Sequence, residues 1–180
     1  MICVFLADGF EEIEAFTTID ILRRAKINVK SVGIGNKFVT GAHDIVVVAD
    51  KSETQINFQD LEGLVLPGGM PGTVNLETSS FVKEAINLCV SKNLLIAAIC
   101  AAPSILGHMG FLEGKTATCY PGFEQELTKA NVSKLSVCKD SNIITARGPG
   151  SAFDFALEIV KSVKEESLID SIKSSICLFD

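Results

Sequence analysis

The stretch Leu94-Leu95-Ile96-Ala97-Ala98-Ile99 constrains the fold more than any other, because six consecutive apolar residues run straight into Cys100. With no polar residue in the run, neither face of a strand here suits water. It therefore reads as a strand covered on both sides, as in a parallel sheet. Ala101 and Ala102 follow at once. The stretch from Ala101 to Met109 reads as a helix with Pro103 in its first turn, where a missing N–H leaves nothing unpaired. A cysteine at such a corner has room only for small residues two positions either side, and here they are Ala98 and Ala102. This is the G-x-S-x-G nucleophile elbow rewritten as A-I-C-A-A. The helix N-terminus beside the sulfur is expected to favour thiolate over thiol.

Length and charge narrow the setting. The 180 residues are expected to form a single domain, 1–180, that buries roughly 70% of its unfolded surface. A net charge of −6 gives no electrostatic footprint for nucleic acid or an anionic membrane. No apolar run approaches the ~18 residues that would span a bilayer. Met1 leads directly into Ile2-Cys3-Val4-Phe5-Leu6 without a basic leader, so a cytoplasmic protein with reduced thiols is expected. The six cysteines form no C-x-x-C pair, and neither a metal nor a cofactor is expected. Cys3, Cys89, Cys138 and Cys177 lie among apolar neighbours and read as buried thiols. Cys119, beside Tyr120, reads as a packing residue before a second redox thiol.

Strand and helix patterns alternate along the chain. Strands are expected over 2–7, 28–34 and 61–66, with a further extended segment over 44–49. Helices are expected over 11–26, 80–92, 123–130, 152–164 and 167–175. A two-stranded piece is expected over 135–139 and 143–146, and Ser151 with Asp154 has the spacing of a capping box. In the first helix Phe10, Ile13, Thr17, Ile21 and Ala25 fall on one face, and Glu14 falls on it too. An acid there is costly to bury as an anion, so it is expected to be protonated or to have a task. The alternation indicates an α/β layered fold with a mainly parallel sheet, in which sites form beyond the carboxyl ends of the strands. Four loops are thereby candidates for one site: Asp8 to Glu14, Pro67 to Gly72, Cys100 with Ala101, and Arg147 to Gly150.

Five stretches carry a family resemblance: A-D-G-F-E-E-I-E (7–14), D-I-L-R-R-A (20–25), L-V-L-P-G-G (64–69), L-I-A-A-I-C-A-A-P (95–103) and T-A-R-G-P-G-S-A-F-D-F-A-L (145–157). With them the chain resembles the ThiJ/PfpI superfamily, in the branch of the parkinsonism-associated protein deglycase and its bacterial relatives. The resemblance implies a flavodoxin-like three-layer sandwich and a homodimer, with Arg24 at or near the subunit boundary. It makes Cys100 the reactive cysteine and Glu14 the acid against it, with Gly69 and Ala101 N–H groups forming the anion-stabilising corner. Gly68, His43, Arg24, Tyr120, Cys119 and Pro149 are candidates for the surrounding pocket. Tyr120 stands where that branch has a histidine near its cysteine, and His43 where it has an arginine of a small cationic pocket.

No histidine supports a Cys-His-acid triad. His108 lies eight residues beyond Cys100, roughly 12 Å along a helix axis, and Ala101 stands where the protease-like branch has histidine. His43 reads as a surface-loop residue. The residues themselves imply an activated thiol with a neighbouring acid; the resemblance implies a deglycase or glyoxalase III-like enzyme acting on methylglyoxal or glycated proteins, with Cys100 as nucleophile and Glu14 as proton shuttle. The alternative is an oxidative-stress sensor or redox-regulated chaperone working through Cys100. The P-G-G loop is not followed by G-K-[ST], so nucleotide binding is not expected.

Overall fold

The wholly apolar strands are buried along their full length because helices cover both faces of the sheet they form. The computed structural model describes residues 1–178. In chain order the elements are β1 (Ile2–Leu6), α1 (Glu12–Arg24), β2 (Val29–Gly33), β3 (Phe38–Thr40), β4 (Val46–Val48) and β5 (Lys51–Ser52). There follow β6 (Gly63–Leu66), α2 (Gly72–Thr78), α3 (Ser80–Ser91), β7 (Leu95–Ile99), α4 (Pro103–His108) and β8 (Thr116–Ala117). The chain continues with β9 (Asn131–Val132), β10 (Val137–Asp140), β11 (Ile143–Ala146), α5 (Ala152–Val163) and α6 (Ser167–Ser175).

Seven strands form the main sheet in the order β10-β11-β7-β6-β1-β2-β5. Every neighbouring pair is parallel except β10 with β11. Side chains alternate across it. Ile2, Val4 and Leu6 of β1 join a core with α1, α5 and α6, while Cys3 and Phe5 join the core under α2, α3 and α4. This is the flavodoxin-like three-layer α/β sandwich. With β6 in the centre and β1 and β7 beside it, the loops leaving these three strands open next to one another on one edge of the sheet. Among the described residues no helix is long and apolar enough to cross a membrane.

Several local expectations are corrected. The helix expected over 123–130 is a single 3-10 turn at Glu124–Glu126, and Lys129 then takes a left-handed φ of 60°. Here the backbone lies against α4, where a Cβ on Gly107 would come within 2.1 Å of the Glu126 carbonyl oxygen. Helix α2, whose Gly-Thr-Val start has weak propensity, begins at the end of the 67–72 loop and runs through a stretch where no element is expected. The Val46–Val48 segment pairs with β3 as an antiparallel ribbon. Ser151 does not cap α5; its hydroxyl donates to the Gly148 carbonyl at 2.8 Å inside the 3-10 turn before that helix. Along α1, Phe10, Glu14, Ile21 and Ala25 of the expected face are buried, but Ile13 is 55% exposed, and Ala15, Thr18, Ile19 and Leu22 complete the buried side. Cys177 is exposed, not buried, beyond the C-cap of α6.

Candidate active site

Cys100 is held at the end of β7 in a conformation few side chains adopt. Its φ is +66°, in the left-handed region that costs a non-glycine residue energy. Backbone bonds on both sides hold it there: its N–H donates to the Ala146 carbonyl at 2.9 Å, and its carbonyl accepts from the Tyr120 N–H at 2.8 Å. Ala98 and Ala102 are fully buried, so larger residues would meet packed core. The elbow geometry expected from A-I-C-A-A is present.

Glu14 arrives from α1 and is fully buried. Its Oε2 accepts from the Gly68 N–H at 2.7 Å, and its Oε1 has no well-formed hydrogen-bond partner among the described residues. Burial pushes the carboxyl up to about 7, the Gly68 N–H and the Cys100 thiol draw it down, and the Glu11 charge adds to the rise. Gly68 lies between acid and thiol. A Cβ there would stand 2.5 Å from Cys100 Cβ, 2.9 Å from Glu14 Oε2 and 3.0 Å from Cys100 Sγ. Only glycine lets the two side chains close over the backbone. Gly69, with φ of +89°, is equally constrained, since a Cβ on it would strike the Gly9 carbonyl oxygen at 2.4 Å.

The sulfur does not become a thiolate unaided. Burial, then the Glu14 charge and its hydrogen bond, push the thiol up to about 12, against the N–H groups of Gly69 and Ala101, which favour the anion. Helix α4 has only six residues and starts at Pro103, so its dipole is a small influence on the sulfur. The acid and the thiol titrate as a pair. When Glu14 holds the proton its charge no longer opposes the thiolate, and the two backbone donors remain. The arrangement can pass one proton between sulfur, carboxyl and a bound oxygen.

The other expected residues divide. Tyr120 and Pro149 are near the cysteine corner. They line a groove of about 280 Å³ with Pro121, Arg147 and Gly148, and the Tyr120 ring lies 3.1 Å from where a Gly148 Cβ would stand. Cys119 is only 4% exposed, belongs to the core under α4, and is pushed up to about 11 chiefly by burial, so it packs. His43 does not supply a free cationic pocket. Its N–H donates to Glu12 Oε1 at 2.8 Å, and its Nδ1 lies 2.7 Å from Glu12 Oε2. Glu11, Glu12 and His43 offer ligand atoms within 4.8 Å of one another, but both Glu12 oxygens are already taken up by His43. Arg24 stands apart from Glu14 and Cys100 within one chain. It ends α1, ten residues and ~15 Å of helix from Glu14, and pairs with Asp20 at 2.7 Å.

Two backbone contributors were missed. Gly9 accepts from the Gly72 N–H at 3.2 Å and lets β1's loop lie against the glycine loop, and Thr73 donates its N–H and hydroxyl to the Gly69 carbonyl at 2.9 and 3.0 Å. The Asp8-Gly9 turn signal marked the first; nothing local marks the second.

Comparison with known proteins places the chain in a family. The DJ-1/PfpI family model matches residues 1–162. Protein dj-1beta of Drosophila melanogaster is 37% identical over 172 residues, 94% of this chain and 92% of its own. Its crystal structure superposes with a TM-score of 0.92 at 35% identity, covering 99% of this chain and 98% of that one. A structure titled Toxoplasma gondii DJ-1, oxidized, gives a TM-score of 0.93 at 30% identity, covering 98% and 97%. The glutathione-independent glyoxalase DJR-1.2 of Caenorhabditis elegans is 30% identical over 170 residues, 93% of this chain and 90% of its own. The chain that brings Glu14, Gly68 and Cys100 together in this way belongs to the DJ-1/PfpI family.

Proposed function

We propose that this chain is a cysteine-dependent enzyme of the glyoxalase or protein-deglycase type, acting without a cofactor on methylglyoxal or its early adducts with protein amines and thiols. One observation carries the reading: a buried carboxyl poised near neutral pH, wedged by Gly68 against the thiol of an elbow cysteine. The glyoxalase name of the Caenorhabditis relative supports the substrate class.

The sulfur of Cys100 gives its electron pair to the aldehyde carbon, while its proton passes to Glu14. The carbonyl π pair moves onto oxygen, which the Gly69 and Ala101 N–H groups stabilise. Glu14 returns a proton to that oxygen, giving a hemithioacetal. It then removes the proton from the former aldehyde carbon, and reprotonation at the neighbouring carbon leaves a lactoyl thioester. Water adds to the thioester carbonyl, the carbon–sulfur bond breaks, and the thiol regains its proton. One water enters, lactate leaves, and there is no net oxidation. On an early protein adduct the same sulfur attack frees the amine or thiol.

A second reading rests on Cys100 being partly exposed, and on the oxidized form of the Toxoplasma neighbour. In it, peroxide converts the sulfur to sulfinate and Glu14 donates a hydrogen bond to the product, so the chain senses oxidation. All six cysteines are unpaired, which fits a reducing cytoplasm. Ile13 and Phe16 on the outer face of α1 are exposed apolar residues that suit a second copy of this chain.

Following methylglyoxal loss and lactate appearance with wild type, Cys100→Ala and Glu14→Gln tests the first reading. It is lost if Cys100→Ala turns over as fast as wild type. Mass mapping of Cys100 after mild peroxide tests the second, which fails if no sulfinate forms.

A further inference from the structure

His108 has no place in the chemistry above, yet both of its ring nitrogens face carboxylates. Nδ1 lies 2.5 Å from Glu77 Oε1, and Nε2 lies 2.8 Å from Glu126 Oε2. A neutral imidazole carries one N–H and one lone pair, so it can donate to only one of the two. Both bonds are satisfied together only by the imidazolium, and the two carboxylates accordingly raise the histidine's affinity for its proton.

The two partners belong to the two segments that flank Cys100. Glu77 lies in the last turn of α2, and the first turn of that helix is tied to Gly69 through the Thr73 N–H and hydroxyl. Glu126 closes the 3-10 turn after Tyr120. From Cys100 to this glutamate runs a relay of backbone bonds: the Tyr120 N–H to the Cys100 carbonyl at 2.8 Å, the Phe123 N–H to the Tyr120 carbonyl at 3.0 Å, and the Glu126 N–H to the Phe123 carbonyl at 3.0 Å. Gly107, beside the histidine, has no side chain to hold this turn off α4. A single charged ring on α4 thus joins the segment that carries one sulfur-facing N–H to the segment that forms the groove wall.

We propose that His108 is a positioning residue, a proton-dependent clip that holds the Gly69 and Tyr120 sides of the Cys100 site in register. Protonated, it ties Glu77 on α2 to Glu126 on the 3-10 turn, and these are the charged groups acting on it among the described residues. Deprotonated, one ring nitrogen turns a lone pair toward a carboxylate, and that side of the clip opens. The sign follows from linkage: a histidine with a raised folded pKa contributes fully below its ordinary value of 6.5, and the contribution is lost as pH rises through the folded value. The clip goes beyond the carbonyl chemistry and does not depend on which reaction Cys100 performs.

The test is hydrogen exchange of residues 119–128, as protection factors corrected for the pH dependence of intrinsic exchange, with the His108 titration followed by NMR. Wild type should lose protection there by about three- to ten-fold as pH rises through the His108 transition, since exposed pairs are individually weak. His108→Gln should be loosened already at low pH and show no such transition, and Glu126→Gln should lower the His108 pKa and flatten the profile in the same segment. Protection of 119–128 that tracks pH identically in wild type and both variants overturns the clip, as does a His108 pKa at or below 6.5. Turnover is not read, so failure of the carbonyl chemistry and failure of the clip are separate results.

Discussion

Two glutamates stand two residues apart on α1, both buried, and they behave in opposite ways. Glu12 is 7% exposed and Glu14 is 0%. The small difference in burial is not what separates them. Burial raises both, but Glu12 accepts from the His43 side chain and the His43 N–H, and the net result lies below the usual carboxylate range. Glu14 has the Gly68 N–H on one oxygen and no well-formed partner on the other, and it rises to about 7. A carboxyl buried with donors on both oxygens is a structural anion; one buried with too few is an acid ready to move a proton.

The most direct way to break the comparison is to make each acid an amide. Glu14→Gln should lower lactate formation by about two to four orders of magnitude, the usual range for a lost general acid–base group. Glu12→Gln should leave turnover within a few-fold of wild type, measured under the same saturating methylglyoxal. Equal losses would mean that both acids serve the chemistry.

Stability should separate them along the pH axis. Glu14 has a raised folded pKa, so its folded form keeps a proton that the unfolded chain loses above about 4.5. Wild type should therefore lose stability relative to Glu14→Gln as pH climbs from about 4.5 to 7, by about 3 kcal/mol at most. For Glu12 the sign is reversed: its contribution is present above its unfolded value and declines as pH falls. Urea unfolding of wild type and the two amide variants at about pH 3, 5 and 8 reads both slopes, the lower interval for Glu12 and the upper for Glu14.

Gly68→Ala sharpens the role of the wedge. The added methyl meets Cys100 Cβ and Glu14 Oε2, and overpacking of this kind costs about 1–3 kcal/mol. Thermal unfolding should show the loss, and the Glu14 pKa followed by carbon NMR should move as the pair is pushed apart. The smallest effect is expected from His43→Gln, which removes the imidazole beside Glu12 but keeps the backbone donor. The Glu12 carboxyl should climb toward its ordinary range in the same NMR titration, with the Glu14 carboxyl little changed.

Much of this arrangement was legible from residue pattern. The uninterrupted apolar runs marked β1, β6 and β7 because burial on both faces leaves a local signature. The small residues around Cys100 marked the elbow, and the position of Glu14 among inward neighbours marked it as an acid out of water. The failures share a cause. Ile13 was placed on the buried stripe because it is apolar, whereas the packing of α1 on α5 and the sheet faces Ala15, Thr18 and Leu22 inward. The 123–130 helix failed because the backbone there is held by α4 and by the Tyr120 relay, partners distant in sequence. Arg24, which the resemblance puts at or near a subunit boundary, lies at the far end of α1 from Glu14 and pairs with Asp20.

The sequence by itself determined where an elbow cysteine stands and that an acid leans inward from the first helix, since both are written in runs of a few residues. Only the tertiary structure decided what state that acid is in. Gly68, 54 residues away in the chain, supplies its one well-formed bond, and the surrounding layers remove its water. His43 gives Glu12 two donors and Glu14 none, and His108 faces both Glu77 of α2 and Glu126 of the 3-10 turn, which no local pattern connects. Charge depends on desolvation and on the count of donors, and both are properties of neighbours in space.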